Sequence, residues 1–449
     1  MEIKKRTFFL WALTFVFFFS VANSINGPAF GQTQDGCFAK GSPHSPLSGV
    51  LFSAGSGPLE IKNQVVVPAC AAVTLSPQLS VRPEDVGKRA TLLMYVFLPS
   101  TSQGYLFQRP VEALSSVQDF DLFGGPIDLS GATGLSAIFY YGYQLDDTGE
   151  LVYNAYSFNV VAPILSDYQP PHGAGTIDGP AGGGGIGPWA LRLRIARSSD
   201  GLSFTKKDTY LTDQADVSDL VVDDKGWVYA YYVGWTMGDE TNKIGVAISF
   251  DDGEHWVYKY VNIDGAEGKI PPVDPDVVIL QDGTFRLYVT YSSEEGAGPY
   301  TYYAEGTNGV DFQLKGKAFG DNGAMVFDPS VVKIGNTWHL YAWDLHGTST
   351  DGTLFTPEKQ LKLSTSDGHG VIISNVIPVS GGYRAYCYDP MTMQSIYSFF
   401  SRDGDNWSEE EGTRIDLEEG ELESQMVKEA AVVRLKNGSY LMLYSTKIP

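Results

Sequence analysis

Cysteine, histidine and basic side chains are all scarce in this 449-residue chain, which has three Cys, six His and 31 Lys+Arg against 53 Asp+Glu. The resulting charge of −22 repels phosphate backbones and anionic lipid, so nucleic acid and membrane surfaces are poor partners. The charge suits solubility outside the cell, Ca²⁺ binding or carboxylate chemistry. No two histidines stand at metal-ligand spacing along the chain, which gives zinc little support. Cys37 and Cys70 are a candidate disulfide in an oxidising compartment, leaving Cys387 as a buried thiol. Long apolar runs are missing after the first thirty or so residues, so no later segment is expected to span a membrane.

The one apolar run, Phe8 to Val21, follows Lys4, Lys5 and Arg6 and precedes the small residues Ala22-Asn23-Ser24 and Ala29-Phe30-Gly31. That order is a secretory signal over residues 1–31 with two candidate cleavage points. It predicts a secreted or periplasmic protein with no membrane insertion once the signal is removed. Cys37 lacks a lipobox before it.

What the chain does have is aromatic residues, at 13%, and 50 glycines. Aromatics favour strands and glycines favour turns, so the expected class is all-β. Residues 37–163 read as short strands, among them Val65-Val66-Val67, Ala72 to Leu75 and Thr91 to Val96. They end in a hairpin, Ala137 to Tyr143 and Leu151 to Tyr153, closed by Asp146-Asp147-Thr148-Gly149-Glu150. A small β-sandwich fits these strands. Residues 164–188 read as a Gly/Pro-rich linker. Its run Gly182 to Gly185 lacks the strand and helix that a phosphate-cradling loop requires.

Residues 189–449 repeat. A tight acidic turn closed by an aromatic recurs at Ser199 to Phe204, Ser249 to Trp256, Thr307 to Phe312 and Ser401 to Trp407, with a degenerate copy at Ser366-Asp367-Gly368. Between the turns run Val-rich strands whose partners end at Tyr231, Tyr288, Tyr341, Tyr386 and Tyr444. A four-strand unit of about fifty residues is the period of a propeller blade. The last unit lacks outer strands and the first outer pair lacks inner ones, so the two fragments complete one blade. The expectation is a five-bladed β-propeller preceded by a small β-sandwich.

The acidic turns have a structural job, with Asp accepting backbone N–H bonds and Gly in the left-handed region. More telling are the acids at the starts of the Val-rich strands: Asp216 and Asp219, then Asp274 and Asp276, then Asp328, then Glu429. Strands lining a central channel would gather these acids at one mouth. Trp235, Tyr300 and Trp343 could stack on sugar rings. Converging carboxylates suit glycosidic-bond cleavage, which needs one carboxyl protonated and one ionised.

The Ser249 to Trp256 turn resembles the Asp box of sialidases. The five-fold repeat and the Asp-Pro-x-Val-Val starts resemble the glycoside hydrolases that include arabinanases, β-xylosidases and invertases. That resemblance implies an Asp base or nucleophile on blade one, a supporting Asp on blade three and a Glu acid on blade four. Asp216 or Asp219 matches the first and Asp328 the second. Blade four, Gly370 to Asn375, has no Glu, and the comparable Glu is Glu429 on blade five. The expected roles are Asp219 as base or nucleophile, Asp328 as tuning group and Glu429 as acid, with Asp216, Asp274 and Asp276 in reserve. Substrate contacts are expected from Trp235, Arg286, Trp343 and Arg384. The partner is a carbohydrate, no cofactor is required, and Ca²⁺ is compatible. Two other readings stand beside hydrolysis by these acids. One is a non-catalytic glycan- or protein-binding propeller, favoured by the missing acid on blade four. The other is a sialidase-like exo-glycosidase, for which Arg286, Arg384 and Arg434 would surround a substrate carboxylate.

Overall fold

The computed structural model describes residues 45–47, 51–53, 63–69, 72–75, 78–119, 127–129, 131–172, 187–266, 271–291, 298–320, 326–358 and 360–449. The signal segment and the candidate pair Cys37 and Cys70 lie outside them. The fold is all-β. Among the described residues the helical elements are two short 3₁₀ turns, Pro83–Asp85 and Pro188–Ala190. The chain divides into two compact units, Met1–Leu165 and Ser166–Pro449.

The first unit is built on a five-stranded sheet. Its order is Asn63–Pro68, Leu151–Val161, Ser136–Leu145, Ala90–Leu98 and Gln103–Val111. The aromatic hairpin lies at its centre, with Gly142 opposite Tyr153 and Gln144 opposite Leu151. Along Ala90–Leu98 the even-numbered residues are buried and the odd ones are not, the period of two that one covered face dictates. Leu92, Met94, Tyr141, Tyr143 and Val152 form the core. Two three-stranded sheets complete the unit: Ser45–Leu47 with Ala72–Leu75 and Ile127–Asp128, and Leu51–Ser53 with Gln78–Ser80 and Val117–Asp119. Buried Asp85 is held by Arg82 at 2.7 Å, Lys88 at 2.8 Å and the Tyr143 hydroxyl at 2.7 Å. Burial alone would raise its pKa. The bonds from Lys88, Tyr143 and Arg82 prevail and hold it at about 2.

The second unit contains five sheets whose main strands run antiparallel, with Asn262–Asp264 added to the second as a parallel edge strand. The first runs Ala215–Val222, Val228–Met237, Glu240–Ser249, Val257–Tyr260. The second runs Val273–Ile279, Phe285–Tyr291, Tyr300–Gly306, Asp311–Phe319. The third runs Pro329–Ile334, Thr337–Ala342, Leu345–Ser349, Thr356–Pro357. The fourth runs Gly370–Val379, Gly382–Tyr388, Ser395–Ser401, Trp407–Glu409. The fifth joins both ends of the unit: Ser424–Arg434 and Tyr440–Lys447 pair with Leu191–Ser198 and Thr205–Asp213. The leading strands of the five sheets touch in cyclic order, first to second through fifth and back to first. The leading strands are the inner edges of their sheets, and contact with the neighbouring leading strands covers those edges. Apolar layers fill the spaces between sheets, for example Leu193, Leu220, Val228, Leu441 and Leu443 between the fifth and the first.

Each sheet carries an acidic turn between its third and fourth strands. In the fifth, Ser198 Oγ accepts from Gly201 N–H at 2.9 Å, and Asp200 Oδ1 accepts from Leu202 and Ser203 N–H at 2.8 Å. The glycines of these turns have φ between 74° and 83° (Gly201, Gly253, Gly309, Gly352, Gly404), where a side chain would be strained. Four of their carbonyls accept a tyrosine hydroxyl from the preceding sheet: Tyr231 to Gly309 at 2.6 Å, Tyr288 to Gly352 at 2.6 Å, Tyr341 to Gly404 at 2.8 Å and Tyr386 to Gly201 at 2.8 Å, whereas Tyr444 of the fifth sheet donates to Glu423 at 2.7 Å. The recurrent turn and the recurrent tyrosine are thus two halves of one inter-sheet clasp.

Two details differ from the sequence reading. The acidic turn of the third sheet is Ser349-Thr350-Asp351-Gly352, with Phe355 buried behind it; Ser366-Asp367-Gly368 instead leads into the fourth sheet. The segment expected to be linker begins inside the second unit. Asp167 N–H donates to Tyr258 carbonyl, Asp213 N–H donates to Pro171 carbonyl, and the Tyr168 ring stacks on Tyr260 at 4.9 Å. Tyr168 supplies apolar surface that covers the outer strand, which outweighs the Pro-Pro that follows.

Candidate active site

Polar residues line the leading strands in two tiers. The deeper tier holds Asp219, Asp276 and Asn375 at one register. Asp219 Oδ2 accepts from Val277 N–H at 2.7 Å, Asp276 Oδ2 from Val331 N–H at 3.1 Å, and Asn375 Oδ1 from Val432 N–H at 3.0 Å. Asn375 Nδ2 also donates to Asp219 Oδ1 at 3.0 Å. This tier stitches the first sheet to the second, the second to the third and the fourth to the fifth, and ties the fourth to the first. Burial raises Asp219 to about 7 and Asp276 well above the carboxylate range.

The upper tier lies one step toward the start of each strand. Asp274, Asp328 and Glu429 all have left-handed φ, at 53°, 50° and 50°, and Val217, beside Asp216, has 38°. Register breaks accompany them between Asp216 and Ser218, Val273 and Asp276, and Lys428 and Ala431. A bulge adds a residue and re-aims its neighbours. A non-glycine residue in the left-handed region costs about 1 kcal/mol or more and persists only where the surroundings enforce it. Three acids share this strained backbone on three different sheets. In the fourth sheet the same register holds buried Ile373.

The upper carboxylates meet around a buried lysine from the fifth sheet. Lys428 Nζ is 2.9 Å from Asp216 Oδ2 and 2.7 Å from Glu429 Oε2. The second is a close contact off the alignment of a hydrogen bond, and among the described residues Glu429 Oε2 and Asp216 Oδ1 both lack a hydrogen-bond partner. Tyr388 of the fourth sheet donates to Glu429 Oε1 at 3.1 Å. Asp328 N–H donates to Asp274 Oδ2 at 3.3 Å, and Trp343 Nε1 donates to Asp328 Oδ2 at 2.8 Å. Trp343 is 47% exposed, so it marks where the cluster opens to solvent.

Burial dominates the electrostatics. It raises Asp274 to about 7, with Glu429 and Asp216 adding repulsion. It raises Asp328 to about 8, with Asp274 adding and Lys428 opposing. Glu429 rises well above its ordinary value through burial and then Asp216, against the pull of Lys428. For Lys428, burial works to strip the proton, but Asp216 and Glu429 outweigh it and hold the ammonium charged.

The expected site residues divide accordingly. Asp216, Asp274, Asp328, Glu429 and Trp343 come together. Asp219 and Asp276 lie deeper, each with an oxygen bonded to the next sheet's backbone. Trp235 stands at the same end of its sheet as Asp216, its N–H on Gln214 carbonyl at 2.8 Å and its ring edge-on to Trp189. The Lys317 ammonium covers the Tyr300 ring at 4.5 Å. Arg286 and Arg384, expected at the substrate, are in the inter-sheet clasps instead. Arg286 is paired with Glu305 at 2.7 Å and donates to Asp351 carbonyl at 2.7 Å; Arg384 is paired with Glu410 at 2.6 Å and donates to Asp200 carbonyl at 3.3 Å. Arg434 donates to Gly438 carbonyl in its own hairpin. These arginines therefore do not surround a common point as a carboxylate-binding triad must. Lys428 and Tyr388 are site residues that the strand pattern does not flag. Lys428 reads as an ordinary exposed charge, and only its place beside Glu429 in an otherwise apolar strand start hints at burial.

The chain matches no family model and no curated protein. It is similar to several solved structures. One is a glycosyl hydrolase from Bacteroides ovatus, 16% identical over 51% of this chain and 83% of that one, TM-score 0.38. Another is a GH43 β-xylosidase/α-arabinofuranosidase from a compost microbial metagenome, 13% identical over 51% and 84%, TM-score 0.39. A third is an α-L-arabinofuranosidase from Clostridium thermocellum, 16% identical over 50% and 79%, TM-score 0.39.

Proposed function

We propose that the second unit is a five-bladed β-propeller that hydrolyses glycosidic bonds at the mouth of its channel, in a protein exported to act on a carbohydrate. The observation that carries this reading is the pair Asp216 and Glu429, two buried carboxyl groups from adjacent sheets sharing one ammonium. Glu429, held protonated by burial and by Asp216, is the acid that delivers its proton to the leaving glycosidic oxygen as the C–O bond breaks. Asp216, ion-paired to Lys428 with its Oδ1 uncommitted, is the base or nucleophile. Lys428 keeps the two oxygens no farther apart than its two contacts laid end to end, which suits the roughly 5–5.5 Å spacing at which the second carboxylate attacks directly and configuration is retained. Asp328 and Asp274 tune the pair, and Trp343 offers a ring face to the sugar. Asp216 thus takes the role that the sequence reading gives to Asp219. The chemistry so written asks for no cofactor. The first unit is the accessory module, a small β-sandwich.

The test is hydrolysis of aryl-glycosides and plant and microbial polysaccharides by wild type, Asp216→Asn, Glu429→Gln and Asp219→Asn. The reading requires activity that the first two abolish with folding intact and the third retains. One observation favours a second reading, a glycan-binding propeller without catalysis: Ile373 holds the fourth sheet's place in the ring of acids. Saturable glycan binding with no turnover on any substrate would select it.

A further inference from the structure

The clasps between sheets differ at one register, where the first sheet, two before Tyr231, has Tyr229. Two residues before the clasp tyrosine stand Arg286 in the second sheet and Arg384 in the fourth, each a permanent cation bonded to a carbonyl of the neighbouring acidic turn and to a glutamate. In the third sheet the same register holds His339, two before Tyr341. His339 is buried and faces His346 of the adjacent strand, Nδ1 to Nε2 at 3.0 Å, with the two rings within 14° of parallel. Across the seam the acidic turn of the fourth sheet brings Asp405, whose Oδ1 is 3.7 Å from His346 Nδ1. One ligand atom from each of the three residues lies within 4.8 Å of the other two, and no other such trio occurs among the described residues. Seven residues apart along the chain, the two histidines have no ligand-like spacing, which is why the sequence gives zinc no support. The tight turn between Thr337–Ala342 and Leu345–Ser349 folds them face to face.

We propose that His339, His346 and Asp405 form a divalent metal site, of the kind that takes Zn²⁺, which clamps the third sheet to the fourth. Three lines of chemistry converge on it. Two imidazoles and a carboxylate are a borderline-soft donor set that suits zinc and disfavours Ca²⁺ and Mg²⁺. Nitrogens bound at about 2.0–2.1 Å to one ion stand about 3 Å apart, near the spacing already present. Two of the three other clasps place a guanidinium here, Arg286 and Arg384, so a bound cation at this seam supplies what those two arginines supply at theirs. Burial lowers the pKa of His339 and favours its neutral, ligating form. Asp405 is half-exposed, which leaves a route for the ion and room for water as a further ligand.

The experiment uses the full chain stripped with chelator and titrated with Zn²⁺ alone, followed by equilibrium dialysis with metal analysis and by thermal unfolding. The expected result is one tightly bound equivalent, a rise in Tm of several degrees, and at least tenfold weaker binding in His346→Gln and in Asp405→Asn, with both effects unchanged in Glu429→Gln. Asp405→Asn alters an exposed side chain, so it separates loss of the site from loss of the fold. Co²⁺ in place of Zn²⁺ in the wild-type chain should give the intense visible absorption of a tetrahedral site. Failure to retain zinc, or binding that survives His346→Gln and Asp405→Asn but disappears in Glu429→Gln, overturns the proposal. The latter result would assign the metal to the channel mouth.

Discussion

Asp276 and Asp274 stand two residues apart on one strand, both buried, and the difference between them separates the two tiers of the leading strands. Asp276 accepts a backbone N–H from the next sheet across regular strand geometry. Asp274 sits in left-handed backbone, among like charges that add to its burial. The same contrast divides Asp219 from Asp216. Both pairs show that burial of an acid says little about its use. An inter-sheet backbone bond does not by itself separate the tiers, since Asp274 Oδ2 also accepts Asp328 N–H at 3.3 Å. What the upper tier adds, among the described residues, is the unpartnered oxygens Asp216 Oδ1 and Glu429 Oε2 and left-handed backbone at Asp274, Asp328 and Glu429. Such features accumulate where a fold gives up stability for chemistry.

Substitutions can break this comparison, and activity should respond most. Glu429→Gln and Asp216→Asn are expected to lower kcat/KM on any substrate the protein cleaves by about 10²–10⁴-fold, with the unfolding midpoint unchanged or raised in Glu429→Gln and lowered in Asp216→Asn, which leaves the Lys428 ammonium without its partner. Next is Asp219→Ala, which leaves Val277 N–H and the Asn375 amide buried without their acceptor. It should cost about 2–4 kcal/mol in denaturant unfolding while the folded fraction keeps its specific activity. A collapse of activity without loss of stability in Asp219→Ala would return that residue to the catalytic role.

A smaller effect concerns pH. The carboxyls of Asp274 and Asp328 are raised by burial to about 7 and about 8, above their unfolded values near 4. The folded state therefore binds more protons between those limits. The stability that these groups contribute is complete below pH 4 and is lost as pH rises through 7 to 8. Asp274→Asn should flatten part of that decline and stabilise the protein at pH 8 by on the order of 2 kcal/mol; a pH–Tm profile for both forms checks it. Lys428→Met removes the cation that opposes the rise of the Glu429 carboxyl, so the limb of the pH–rate profile that reports this acid should move upward. The smallest effect on function is expected from Arg384→Met. It should destabilise the clasp by about 1–3 kcal/mol and leave KM unchanged, whereas a residue that held substrate would raise KM.

Much of this was legible in the sequence for identifiable reasons. The Val-rich starts and their tyrosines mark the leading and second strands, because strands covered on both faces need continuous apolar runs and the clasp needs a hydroxyl at one register. Acids before those valines mark the mouth. The choice between Asp216 and Asp219 was not legible, since a bulge of one residue reverses which side chain faces the channel and leaves no trace in composition. Arg286 and Arg384 carry the charge a substrate carboxylate would want, but their glutamate partners come from other strands, at distances no local pattern shows. The turn at Ser349 to Phe355 follows the Ser-x-Asp-Gly pattern closely, and the Asp367-Gly368 pair sixteen residues after Asp351-Gly352 mimics it. Tyr388 is indistinguishable in sequence from the clasp tyrosines around it.

The central claim is that Asp216 and Glu429 work as an acid and base pair while Asp219 and Asp276 hold the ring of sheets together. Its most direct test is the rate of glycoside hydrolysis measured beside the unfolding free energy for Glu429→Gln and Asp276→Asn. The account predicts lost turnover with retained stability in the first, and reduced stability with retained turnover per folded molecule in the second. Turnover unaffected by Glu429→Gln, or abolished by Asp276→Asn in a protein of undiminished stability, would contradict it.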